Sequence, residues 1–312
     1  MTSFGFVFPG QGSQAVGMLD AWGDHPAVKQ TLAEASAALG EDVAALIHIG
    51  PKEQLDLTTH TQPVMLAAGI ACYRAWLAET GLAPSLLAGH SLGEYTALVA
   101  AGVLTLADAL PLVRFRAQAM QDAVPVGTGA MAAILGLDAQ AVRDGCGEVA
   151  AATGEVVEAV NFNDPKQTVI AGSKAGVEQA IVALKAKGAK RALVLPVSAP
   201  FHSSLMKPAA ERLKPRLADT AFAVPAIRVV NNVDVAIESD PQRLRDALYR
   251  QAFAPVRWVE VVQAMRAQGI THLIECGPGR ALAGMVKRID ADAVTGNVFD
   301  PESLAEARAL LA

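Results

Sequence analysis

The sequence predicts an α/β protein: a large domain on a mostly parallel sheet, carrying a small inserted subdomain of ferredoxin-like order. Three observations predict it. Strand, glycine-rich turn and helix follow one another near both ends of the chain. The middle of the chain changes to a β-α-β-β-α-β order. The 312 residues are 52% hydrophobic and 18% charged, with a mean hydropathy of +0.31, enough apolar material for a sizeable core.

The elements read in order as follows. Residues 4–8, Phe-Gly-Phe-Val-Phe, form a buried strand that runs into Pro9-Gly-Gln-Gly-Ser-Gln14. Residues 26–49 are Ala-rich and helical in period, and residues 62–80 form a second helical stretch. Residues 85–88 read as a short buried strand, followed by Gly89-His-Ser-Leu-Gly93 and helices over 94–101 and 107–121. The strand, turn and helix order recurs over 271–275, Cys276-Gly-Pro-Gly279 and 280–288.

Between these halves, strands are expected at 130–135, 156–161, 167–171 and 191–197, and helices at 138–151 and 174–186. That order closes on itself, so the chain is expected to leave the large domain (1–127 and 198–312), build a small subdomain (128–197) and return. The exit lies near Pro125-Val-Gly-Thr-Gly129 and the return near Ser198-Ala-Pro200, with the active site in the cleft between the two parts.

Composition also excludes several classes. His90 and Glu94 interrupt the apolar run 86–106, and Gly and Pro punctuate 123–137, so no segment reads as membrane-spanning. The N-terminus lacks a basic region and a long apolar run, which argues against export. Cys72, Cys146 and Cys276 have no metal or redox spacing and suit reduced thiols in a cytoplasmic protein. A net charge of −5 argues against nucleic acid as a partner.

The main chemical signal is Gly89-His-Ser-Leu-Gly93. A serine hydroxyl is a poor nucleophile unless it is exposed beside a base. A strand-to-helix turn, as in α/β-hydrolase-like domains, exposes it and aims helix amides at a developing oxyanion. The same pattern can also be an ordinary tight turn. Six histidines could supply the base. His25 and His60 sit in polar segments that suit the surface, His48 and His272 suit structural roles, and the side chain of His90 is expected to diverge from its neighbour Ser91. His202 follows a strand in Ser198-Ala-Pro-Phe-His-Ser203, where catalytic groups collect, although a lone loop histidine is often inert.

Arg116 projects from an apolar helix face formed by Leu112, Val113, Ala119 and Met120. A guanidinium there needs an anion: either an internal Asp or Glu, or a substrate carboxylate. Gly10-Gln-Gly-Ser-Gln-Ala15 fits a loose dinucleotide fingerprint, but no second strand ending in an acidic residue follows at the required distance. The loop is better placed to bring a backbone amide to the serine.

Together the residues resemble the malonyl-CoA:acyl-carrier-protein transacylases of bacterial fatty acid synthesis, over nearly the whole chain. The resemblance rests on Phe8-Pro-Gly-Gln-Gly-Ser-Gln14, Gly89-His-Ser-Leu-Gly-Glu-Tyr95, Pro125-Val-Gly-Thr-Gly-Ala-Met131, Val160-Asn-Phe-Asn163, Phe201-His-Ser203, Val230-Asn-Asn-Val-Asp234, Gln251 with Pro255-Val-Arg-Trp258, and Gly277-Pro-Gly279. It implies Ser91 as nucleophile, His202 as general base, and the backbone carbonyl of Gln251 as the group orienting the histidine. It further implies the amides of Gln11 and Leu92 as the oxyanion hole and Arg116 as the clamp on the malonyl carboxylate. Phe201 is similar to the residue of malonyl-selective members of related modular synthases, while Asn161 and Asn163 match family positions without an assigned role.

The implied reaction is ping-pong transfer of malonyl from malonyl-CoA to the phosphopantetheine thiol of acyl carrier protein, with coenzyme A thioester as substrate, no metal and no further cofactor. A monomer is expected, with no membrane partner. An acidic carrier would meet the basic cluster Lys185, Lys187, Lys190 and Arg191, or Lys287 with Arg288. Two alternatives remain: a serine esterase or thioesterase of the same architecture, with Asp164 as a candidate third member, and a non-catalytic carrier-docking subunit.

Overall fold

The computed structural model describes residues 3–197 and 199–312. The central strand β1 (Phe4–Phe8) is buried along its whole length, as an apolar strand covered on both faces must be. It pairs in parallel with β2 (Leu86–Gly89) and with β8 (His272–Cys276), giving the sheet order β7-β2-β1-β8-β9, where β7 is Arg228–Val230 and β9 is Val294–Val298. Between β2 and β7 lie β3 (Gly129–Leu135), β4 (Val157–Asp164), β5 (Gln167–Ser173) and β6 (Arg191–Val194), which form a separate antiparallel sheet of order β4-β5-β3-β6. That is the ferredoxin-like arrangement, in which the first strand of the unit lies between the third and the fourth.

The predicted helix over 26–49 is two helices, α1 (Pro26–Leu39) and α2 (Val43–Ile49). Gly40 takes a left-handed φ of 67° that ends the first, and the Asp42 side chain caps the second by accepting from the Ala45 amide at 2.9 Å. After the short α3 (Lys52–Leu55) comes α4 (Thr58–Thr80), an Ala-rich helix buried on nearly every side against the large sheet. Phe4, Phe6 and Phe8 meet Tyr73 and Trp76 of α4 edge-on or tilted, with ring centroids 5.4–6.2 Å apart. Helices α5 (Leu92–Ala100) and α6 (Leu106–Asp122) follow β2 and pack on α4.

In the small sheet, α7 (Ala139–Thr153) and α8 (Lys174–Ala186) cover one face through Val142, Cys146, Val177, Ala180 and Leu184. The other face presents Met131, Ala133 and Val160 toward Leu195, Val197 and Phe201. The strand predicted over 191–197 ends at Val194, because Pro196 has no amide to extend the ladder and Val197 turns back to bond the Leu195 carbonyl at 2.9 Å. The expected return point at Ser198 lies outside the described residues. Two backbone bonds tie β4 to the segment just before Trp258: Phe162 N–H to the Val256 carbonyl at 3.0 Å, and Val256 N–H to the Val160 carbonyl at 2.8 Å.

Four helices complete the large layer: α9 (Lys207–Asp219), α10 (Pro241–Gln251), α11 (Trp258–Ala267) and α12 (Ala281–Ile289), with α13 (Pro301–Leu310) packed on β9. No helix among the described residues is long and apolar enough to cross a membrane.

Candidate active site

Because β2 lies directly beside β1, with Gly89 level with Phe8, the chain leaving β2 has no room to wander before α5 begins. It reverses at Ser91, which adopts φ 54° and ψ −107°. A non-glycine residue there costs about 1–3 kcal/mol and persists only where its surroundings hold it. The flanking glycines are steric necessities. A Cβ on Gly89 would lie 1.9 Å from the Gly93 carbonyl, and one on Gly93 would lie 2.0 Å from the Phe8 carbonyl oxygen. The helix starts at Leu92, two residues earlier than predicted, so the Leu92 amide belongs to the first turn, which has no intrahelical acceptor.

The Ser91 hydroxyl lies 2.7 Å from Nε2 of His202. His202 itself has a left-handed φ of 65° and is 3% exposed. Its Nδ1 is 2.9 Å from the backbone carbonyl of Gln251, the last residue of α10. A carbonyl can only accept, so the proton sits on Nδ1 and the lone pair of Nε2 faces the serine. Burial, followed by the nearby Arg116 cation, pushes the imidazole pKa down from 6.5 to about 3 and keeps the ring neutral. His90 diverges as predicted: Nε2 meets Asn163 Oδ1 at 2.8 Å, and the ring packs 5.5 Å from that of Trp258.

Arg116 projects from α6 into the same place, 2% exposed. It donates from Nη1 to Gln62 Oε1 at 2.7 Å, and from Nη2 to Gln251 Oε1 at 3.0 Å and to Ser91 Oγ at 3.3 Å, with Tyr95 5.4 Å beneath. The expected choice between an internal carboxylate and a ligand thus has a definite form, for its direct partners are two neutral amides and a hydroxyl. Arg114, two residues earlier and pointing away from Arg116, pairs instead with Glu41.

Ser91, His202, Arg116, Gln62 and His90 line a cavity of about 120 Å³, together with Gln11, Leu92, Met120, Met131, Asn161 and Phe201. The loop after β1 is pinned beside it: Gln11 donates to Thr58 Oγ1 at 3.1 Å, Gln14 to Asp56 at 2.9 Å, and a Cβ on Gly10 would lie 2.6 Å from the His90 carbonyl oxygen. Among the described residues no group of three or more His, Cys, Asp or Glu is placed to hold a metal ion.

A family model described as acyl transferase domain matches residues 5–292. The chain belongs to the acyl transferase domain family. It is 55% identical over 309 residues to the malonyl CoA-acyl carrier protein transacylase of Escherichia coli (strain K12), covering 98% of this chain and 99% of that protein. The crystal structure of the acyl-carrier-protein S-malonyltransferase from Burkholderia pseudomallei 1710b superposes with a TM-score of 0.96 at 63% identity, over 98% of this chain and 99% of that one. A malonyl-transacylase solved in complex with its type II PKS acyl-carrier protein gives 0.96 at 51% identity, again over 98% and 99%.

In this acyl transferase, Ser91, His202, Gln251, Arg116, Gln11 and Leu92 all lie around one point. Asp164 lies elsewhere. It accepts from Arg288 Nε at 2.6 Å and from the Lys166 amide at 2.8 Å, while His202 Nδ1 faces a carbonyl, so the third member of an esterase triad is not where that alternative needs it. His48 is exposed and bound to Asp20, and His25, reckoned a surface residue, is half-buried against Glu79.

Sequence reasoning missed Gln62, Glu94 and Asn232. Asn232 accepts from the Ser91 amide and donates to the Gly89 carbonyl, each at 2.8 Å. Glu94 Oε2 accepts from the Asn232 amide at 3.0 Å and from Gln251 Nε2 at 2.9 Å, and burial pushes its pKa up from 4.5 to about 7. A signal for Glu94 was present: it is the acid that interrupts the apolar run 86–106.

Proposed function

We propose that this acyl transferase moves the malonyl group from malonyl-CoA to the phosphopantetheine thiol of acyl carrier protein through an ester on Ser91, supplying fatty acid elongation. The observation that carries the reading is the convergence on one hydroxyl of a neutral base at 2.7 Å and a buried guanidinium at 3.3 Å. The first makes a nucleophile, and the second makes a place for an acyl group that bears a carboxylate.

In the first half-reaction the Ser91 oxygen attacks the thioester carbonyl carbon and its proton passes to His202 Nε2. The carbonyl oxygen gains charge against the amides of Gln11 and Leu92. The C–S bond then breaks, and the imidazolium returns the proton to the coenzyme A thiolate. The carrier's thiol repeats the sequence in reverse, giving its proton to His202 and releasing Ser91. The Gln251 carbonyl supports the imidazolium in both halves without being a carboxylate. Arg116 pairs with the malonyl carboxylate, which also removes an unpaired cation from the field at His202. The base therefore strengthens when a charged acyl group is in place.

The cavity of about 120 Å³ has room for a three-carbon acyl group on Ser91. We further assign residues 1–127 and 198–312 to a catalytic domain and 128–197 to a small domain whose apolar sheet face closes the cleft. Coenzyme A enters as substrate with no metal or additional cofactor, and the protein acts as a monomer in the cytoplasm, where buried unpaired thiols such as Cys72, Cys146 and Cys276 persist.

Isotope-labelled malonyl-CoA, given to the protein with and without carrier, tests the reading. The expected result is a stable protein-bound ester that moves to added carrier. Release mainly as free malonate would make the protein a hydrolase, and absence of any bound label would leave it without the chemistry.

A further inference from the structure

The segment Val230-Asn-Asn-Val-Asp234 takes no part in the steps above. We infer that Asn232, backed by Glu94, is the positioning residue that holds Ser91 in its attacking conformation, an inference that rests on Ser91 being the nucleophile. Strand β7 lies parallel to β2 with Val230 level with Ala88, so the residues just after both strands meet at the turn. Asn232 is fully buried there. Its Oδ1 accepts the Ser91 amide and its Nδ2 donates to the Gly89 carbonyl, both at 2.8 Å, one bond on each side of His90.

The clamp has a second layer. The Ser91 carbonyl accepts from Gln251 Nε2 at 2.9 Å, and Glu94 Oε2 accepts from that same Nε2 at 2.9 Å and from the Asn232 amide at 3.0 Å. Both backbone polar groups of Ser91 are thereby held by side chains, and one carboxyl ties the two holders together. A residue with φ 54° has every reason to relax unless it is held in this way. Relaxation swings the hydroxyl away from His202, and a misplacement of about 1 Å can cost about 10²-fold in rate.

Asn232 is not among the residues lining the acyl cavity, so it acts through Ser91. Its amide is matched to the task. Aspartate at 232 could still accept from Ser91, but once ionised it could not donate to the Gly89 carbonyl.

Rapid-quench acylation by malonyl-CoA tests the assignment on purified full-length variants. Asn232→Ala is expected to acylate about 10²-fold more slowly at saturation, with its half-saturating malonyl-CoA concentration within about threefold of the parent. Asn232→Asp is expected to be slow at about pH 8 and to regain rate relative to the parent at about pH 5, because full burial beside the Gly89 carbonyl and Glu94 raises the carboxyl's pKa and restores a protonated, donating form there. An alanine variant within about threefold of the parent rate, or one altered only in half-saturation, would overturn the assignment. So would an aspartate-to-parent ratio that is the same at both pH values, and this ratio decides the matter even if the alanine variant does not fold. Ser91→Ala is run alongside: an adduct that persists on it refutes the nucleophile itself, a different failure from a rapid Asn232 variant.

Discussion

Arg116 brings a full charge to a place where its direct partners are the oxygens of Gln62, Gln251 and Ser91, and burial already pulls its pKa down. Such a cation gains most from a ligand that brings its own carboxylate. Arg116→Ala should therefore reduce malonyl transfer by about 10²-fold or more and acetyl transfer far less, measured as kcat/KM for the two thioesters. Equal loss for both would remove the clamp role. His202 makes a second statement at this scale. Its pKa falls from 6.5 in the unfolded chain to about 3, so the folded form resists protonation more than the unfolded one. Its contribution to stability is complete above about pH 6.5 and is lost as pH falls toward 3. Denaturant titrations of the parent and His202→Gln across that window should show the parent losing more stability on acidification. Parallel curves would contradict the burial of a neutral base. Ser91, His202 and Arg116 were legible in the sequence because a glycine-flanked serine, a histidine just beyond a strand and a cation on an apolar helix face each break a local pattern. Asn232 and Gln62 break none, since a buried amide is visible only through its partners.

At the scale of elements, the turn between β2 and α5 is the part most constrained by its neighbours. A side chain at Gly93 would collide with the backbone of β1, which cannot yield without shifting the central strand. Gly93→Ala is expected to destabilise the fold by about 3 kcal/mol, the upper end for overpacking, and to abolish acylation. A variant that stays within about 1 kcal/mol of the parent in urea would mean that the strand and helix are less tightly joined than described. Elements with strong periodicity, such as β1, α4 and the six elements of the small sheet, could be read from the sequence to within a few residues. The short β7 and the half-exposed β9 could not, because parallel edge strands of three and five residues carry too little apolar alternation to register. The Ala-rich period over 26–49 runs across Gly40 and hides the break between α1 and α2.

For the whole molecule, the candidate site lies where the carboxyl ends of β1, β2 and β7 meet the apolar face of the small sheet. The loop carrying His202 begins just beyond β6, where the chain returns from the small sheet, and it brings the imidazole to Ser91. Toward the outside, Lys187 is paired with Glu148 and Arg288 with Asp164, while Lys185, Lys190 and Arg191 are exposed. Reversing charge at Lys190 and Arg191 should raise KM for an acidic carrier several-fold and leave KM for malonyl-CoA unchanged, and an unchanged carrier dependence would exclude this surface. The order of the two parts was legible because alternating and antiparallel units differ in connection length, whereas the cleft between them depends on contacts across the chain that no local pattern encodes.

The proposed reaction turns on a covalent acyl group on one hydroxyl, and peptide mapping by mass spectrometry after brief exposure to malonyl-CoA reads that group out. A single malonyl adduct is expected on the peptide bearing Ser91, absent from Ser91→Ala and discharged by carrier protein. An adduct on any other residue, or one that forms equally on Ser91→Ala, would contradict it.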